Sequence, residues 1–78
     1  MERHSNARTT QAVAANVRAE LARRNIQQQE LAAALGWSKV TTYRRLTGQL
    51  RWYVDDVTAV ADFLGIPSHF LMPAEAVA

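Results

Sequence analysis

The chain has no cysteine, only three glycines and two prolines in 78 residues, and no lysine or arginine after Arg51. Without cysteine there are no disulfides and no thiolate metal sites. A domain near the lower size limit for unaided folding must then be held by its core alone. No apolar run approaches the length that crosses a bilayer, and the polar start MERHSNARTT has no hydrophobic stretch of the secretory kind. No segment alternates with period two, which removes strands, and there are no internal repeats or low-complexity tracts. The composition, 49% hydrophobic and 21% charged, excludes a disordered chain. One soluble, intracellular all-α domain is expected.

Catalytic and metal-binding patterns are missing as well. His4 and His69 lie far apart, with no carboxylate or cysteine at metal-ligand spacing. There is no Ser-His-Asp ordering, glycine-rich phosphate loop or paired-carboxylate pocket. A non-enzyme without cofactor or metal is expected.

What is present is charge, unevenly distributed. Residues 1–51 hold all nine Lys and Arg against Glu2, Glu20 and Glu30, a net of +6; residues 52–78 hold Asp55, Asp56, Asp62 and Glu75 with no basic residue, a net of −4. Such asymmetry fits a basic face for a polyanion and a neutral-to-acidic back. A mixed, well-solvated surface accounts for the charge equally well, so the motif must decide.

Along the chain, residues 1–8 are polar and read as an N-terminal arm. Thr9 or Thr10 is the candidate cap of a first helix, in which Val13, Val17 and Leu21 recur at i, i+4 and i+8. Arg18, Arg23 and Arg24 lie off that stripe, and Asn25 suits the helix end. Ile26 leads to QQELAAALGWSKVTTYRRLTG, residues 28–48, the stretch the rest of the chain serves. Leu31, Ala32 and Leu35 form one apolar stripe. Gly36 stands where a helix ends in the left-handed conformation, Trp37 plugs the turn into the core, and Ser38 caps a new helix running to Leu46 or Thr47. At about 100° per residue, Lys39, Val40, Tyr43 and Thr47 share one side with Arg44 beside them, while Thr42 and Leu46 lie opposite. After Gly48 and the connector QLRWYV, Val57, Val60, Ala61 and Leu64 mark a fourth helix from about Val54, with Asp55 and Asp56 in its favourable first turn. Pro67 opens a short fifth helix. Trp52 is assigned to the core.

The ordered set Ile26, Gln28, Glu30, Leu31, Ala32, Leu35, Gly36, Trp37, Ser38, Lys39, Thr41, Tyr43, Arg44, Leu46 and Gly48 resembles the Cro and lambda-repressor (Xre-type) helix-turn-helix family. The later LGIP-SHFL segment resembles the end of the same domain, so the resemblance covers residues 9–72, with a short tail at 73–78. It implies an all-α fold of five short helices, a lambda-repressor-like helix-turn-helix domain, with double-stranded DNA as partner. Gln28 would bond a phosphate through its amide. Lys39, Val40, Tyr43 and Arg44 would meet base edges, with Arg44 and Lys39 donating to guanine and Val40 touching a thymine methyl. Ser38, Arg45 and Arg51 would contact the phosphate backbone.

The chain also departs from the family pattern. Gln27 replaces the usual Ser or Thr cap, although Glu30 keeps the other half of a capping box. Arg45 and Thr42 stand where apolar residues are common, so Arg45 has a second reading, lying along the core edge.

By this resemblance the chain is a minimal Cro-like or phage-repressor-like transcription regulator in the cytoplasm of a bacterial or phage-infected cell. Homodimerisation through the C-terminal end, with Phe70 at the contact, and monomeric binding to a shorter site are both open. The alternative is an Xre-type antitoxin or protein-interaction module, for which the tail AEAVA after Pro73 is short.

Overall fold

The computed structural model describes residues 2–73 and, from Ala7 onward, their side chains. The expectations placed on the side chain of His4 and on the tail after Pro73 lie outside the described residues. Four α-helices follow in order: α1 (Glu2–Arg23), α2 (Gln28–Leu35), α3 (Lys39–Leu46) and α4 (Val54–Leu64). A single 3-10 turn, Ser68–Phe70, stands where a fifth helix is expected. Among the described residues there is no strand.

Helix α1 starts earlier than a cap at Thr9 or Thr10 predicts, so the backbone of residues 2–8 continues the helix instead of forming an arm. Residues 2–8 contain neither proline nor glycine, and nothing in them stops a helix nucleated further along from propagating back. Thr10 is not a cap. Its buried hydroxyl accepts the Trp52 N–H at 3.0 Å, 42 residues away.

The core gathers Val13, Val17 and Leu21 of α1, Leu31 of α2, Leu46 of α3, Trp52, and Val57 and Val60 of α4. Leu71 is fully buried, and Asn16 Nδ2 of α1 donates to its carbonyl at 2.9 Å, tying the end of the fold to the middle of α1. Trp52 enters the core as expected. Trp37 is partly buried and meets Trp52 edge to face, ring centres 5.9 Å apart.

The punctuation predicted around α2 and α3 holds. Asn25 has φ 55°, and Ser38 Oγ accepts the Thr41 N–H at 3.0 Å. At the start of α2, Glu30 Oε1 accepts the Gln27 N–H at 2.6 Å, while Gln27 offers no side-chain cap bond.

Gly36 and Gly48 both have left-handed backbone, φ 70° and 79°, but their surroundings differ. Open space surrounds the position of a Cβ at Gly36, whereas a Cβ at Gly48 would lie 2.5 Å from Gln11 Nε2, which donates to the Gly48 carbonyl at 3.0 Å. Gly36→Ala should cost about 1–2 kcal/mol from backbone strain. Gly48→Ala should cost roughly 0.5–1.5 kcal/mol more, because Gln11 must leave and its hydrogen bond is lost. In a Gln11→Ala background the two costs should converge, as measured by denaturant unfolding; a persistent gap would show that Gln11 is not the cause.

Candidate nucleic-acid interface

Helices α2 and α3 are joined by Gly36, Trp37 and Ser38, a turn tight enough that the Trp37 N–H reaches back to the Ala32 carbonyl at 3.0 Å. The small Ala32, almost fully buried, sits on the inner side of α2 beside Leu31. Helix α3 turns Thr42 and Leu46 inward, Thr42 with no exposed surface at all. The Thr42 hydroxyl is satisfied within the helix, donating to the Ser38 carbonyl at 2.8 Å. That bond explains how a threonine fills a position where an apolar residue is expected.

The opposite face is bare. Val40 is 58% exposed and Tyr43 53% exposed, and Lys39 and Arg44 are exposed beside them. Large apolar and aromatic side chains left in water at the centre of a helix face are candidates for an interface. Among the described residues, the ion pairs engage Arg23, Arg24 and Arg45, leaving Lys39 and Arg44 without an acidic partner. Gln28, the exposed first residue of α2, lines an open groove of about 350 Å³ with Gln27, Gln29, Ala32, Lys39 and Thr42. The groove thus joins the start of α2, where the Glu30 carboxylate already meets the positive end of the dipole, to the Lys39 ammonium at the first residue of α3.

The other expected positions divide. Ser38 is exposed but serves as the α3 cap. Arg51 is exposed, its guanidinium carbon 5.8 Å from the Tyr53 ring centre. Arg45, expected at a phosphate, is instead drawn inward. Its guanidinium carbon lies 4.6 Å from the Trp37 ring centre, and its Nε, buried and without a hydrogen bond, faces Asp56 Oδ2 at 3.5 Å. The physical reason is the α4 carboxylate, which also accepts the Tyr53 N–H at 3.0 Å and offers the guanidinium an anion that water does not. Arg23 and Arg24 are likewise occupied, both by Glu20. The hydrogen bond from Arg24, aided by Arg23, holds the Glu20 carboxyl below its ordinary pKa against the opposing effect of desolvation.

Residues 8–78 match the BetR domain family. The chain belongs to that family. Two solved structures share the fold of this BetR domain. The crystal structure of the DNA-binding domain of BldD superimposes with a TM-score of 0.74 at 20% identity, covering 86% of this chain and 97% of that one. The BldD DNA-binding domain of S. venezulae gives 0.72 at 20% identity, covering 85% and 99%. No curated protein matches the chain.

The sequence pattern misses the non-local donors Gln11 and Arg18, whose side chains reach the Gly48 and Leu46 carbonyls. Neither lies on the apolar stripe, so periodicity carries no signal for them.

The two classes of arginine in this BetR domain should separate on stability. Arg45→Ala should cost about 1–3 kcal/mol through the lost ring contact and the orphaned Asp56. Lys39→Ala and Arg44→Ala should each stay within about 0.5 kcal/mol of the parent. Thermal and denaturant unfolding of the three variants checks this, and equal losses at all three positions would contradict the division.

Proposed function

We propose that this BetR domain is a sequence-specific double-stranded DNA-binding transcription regulator of Cro or phage-repressor type, placing α3 in the major groove. The observation that carries the reading is the α3 outer face. Lys39, Val40, Tyr43 and Arg44 are exposed together on a helix whose inner face is fixed by burial. The fold supports it, since both similar solved structures are DNA-binding domains.

In this reading Arg44 pairs with guanine O6 and N7, Lys39 donates to the same class of acceptor, and Val40 and Tyr43 contact thymine methyls or the adjoining sugar-phosphate. Gln28 and the α2 N-terminus hold a phosphate and fix the register. Arg51 adds a phosphate contact, and Ser38 a weaker one beside its capping role. Arg45 supports the interface from behind, through Trp37, and is not assigned to DNA.

The protein acts in the cytoplasm of a bacterial or phage-infected cell, and no helix among the described residues is long and apolar enough to cross a membrane. A homodimer would present two α3 helices to half-sites about 34 Å apart. Phe70, 54% exposed near the C-terminal end, is the side chain available for that contact.

Selection of bound duplexes from random DNA, followed by affinity measurements, tests the reading. Arg44→Ala should weaken the selected site by about 1–3 kcal/mol and relax preference at one base pair; equal weakening on random DNA would rule out base readout there. Gln28→Ala should weaken all sequences alike, and a change confined to the preferred site would remove its phosphate role. Affinity should fall steeply with salt, with a log-log slope of roughly −2 to −4 per domain. Salt-insensitive binding to a protein instead would favour the interaction-module alternative.

A further inference from the structure

The last carbonyls of a helix have no partners within it. At the end of α3 two of them, and a third carbonyl just past it, are taken by side chains from elsewhere in the chain. The Arg45 carbonyl accepts from Trp52 Nε1 at 2.8 Å, and the Gly48 carbonyl, just past the helix, accepts from Gln11 Nε2 at 3.0 Å. The Leu46 carbonyl accepts from Arg18 Nη1. Gln11 and Arg18 stand two turns apart on α1, so one face of that helix carries both donors. Of these three donors only Arg18 is charged, and it joins Arg44 and Arg45 of the last turn at the negative end of the α3 dipole. Nearby Glu20 is engaged by Arg23 and Arg24, so Arg18 spends its charge on a backbone carbonyl.

An eight-residue helix seated mainly on two buried side chains, Thr42 and Leu46, would rock about that line of contact if its ends were loose. A tie at one end removes the rocking. From Leu46 to Lys39 the helix rises about 10 Å, so a tilt of roughly 10° at the tied end displaces Lys39 by about 2 Å. Hydrogen bonds to base edges tolerate only a few tenths of an ångström. A phosphate contact from Gln28, on a different helix, would not be affected.

We propose that Arg18 is a positioning residue for α3: by holding the Leu46 carbonyl it sets the angle at which Lys39 and Arg44 are presented. Its consequence for sequence preference rests on the DNA-binding reading above; its effect on α3 itself does not.

The test uses the full chain with Arg18→Met, which keeps the aliphatic shaft and loses the donor, and Arg18→Lys, which restores a charged donor. Hydrogen exchange is followed at the amides of Thr47, Gly48 and Gln49, which bond the Tyr43, Arg45 and Arg44 carbonyls, with the Val57 amide of α4 as the internal control. Arg18→Met should speed exchange at residues 47–49 roughly tenfold or more, the expected loss of a charge-assisted bond, and leave Val57 unchanged. Well below the unfolding midpoint, the same variant should lower the ratio of selected-site to scrambled-duplex affinity at least fivefold while scrambled-duplex affinity holds, and Arg18→Lys should recover both readouts. Unchanged exchange at residues 47–49 would overturn the proposal, whatever DNA does. Faster exchange with an unchanged affinity ratio would overturn it too, reducing Arg18 to a stabiliser of the helix end. A parent chain with no preference among duplexes would sink the DNA-binding reading and overturn the claim about presentation with it, and the exchange arm would then decide only whether Arg18 holds the end of α3.

Discussion

The surface this domain presents depends on the docking of α3. Eight residues make barely two turns, and a helix that short does not persist in water unaided, because nucleation costs more than so few backbone bonds return. Helix α3 exists because Thr42 and Leu46 are buried and both its ends are tied. At the N-terminal end the tie is local, the Ser38 hydroxyl. At the C-terminal end it is tertiary, from Gln11, Arg18 and Trp52. With the inner face and both ends committed, the side left free is the one bearing Lys39, Val40, Tyr43 and Arg44. The exposed face follows from what must be hidden.

The same constraint sorts the basic residues. Five arginines among the described side chains serve the fold or stand clear of α3: Arg23 and Arg24 hold Glu20, Arg45 packs on Trp37 against Asp56, Arg18 closes the end of α3, and Arg51 lies over Tyr53. Net charge by sequence half therefore overstates what a polyanion would meet. Arg23, Arg24 and Arg45, paired with carboxylates, contribute little outward field, whereas Lys39, Arg44 and Arg51 have no acidic partner among the described residues and keep theirs.

How much of this was legible in the sequence follows from the range of the forces involved. Gly36, Ser38, Asn25 and the stripes through Val13 and Val57 are local signals, readable because a helix repeats every 3.6 residues and ends by a few known chemistries. The inward Thr42 and outward Tyr43 followed from rotation alone. Long-range partners were not legible. The direction of Arg45 depends on Asp56 arriving from α4, eleven positions later, and the bond between Thr10 and Trp52 spans 42 residues. The start of α1 differs for another reason: residues 2–8 are polar, as an arm is, but hold no helix breaker, so the helix propagates back through them. The candidate interface was legible as a face because it sits on one helix; the residues that hold that helix in place were not, because they sit on another.

In the proposed function, the free face of α3, with the α2 N-terminus beside it, is the surface that meets duplex DNA. Titrating the labelled domain with a selected duplex and following backbone amide and side-chain resonances tests this most directly. The account predicts the largest shifts at Gln28 and from Lys39 to Arg44, with little change across α4 and residues 68–70. Perturbation centred on α4 or on Phe70, with the α3 face silent, would contradict it.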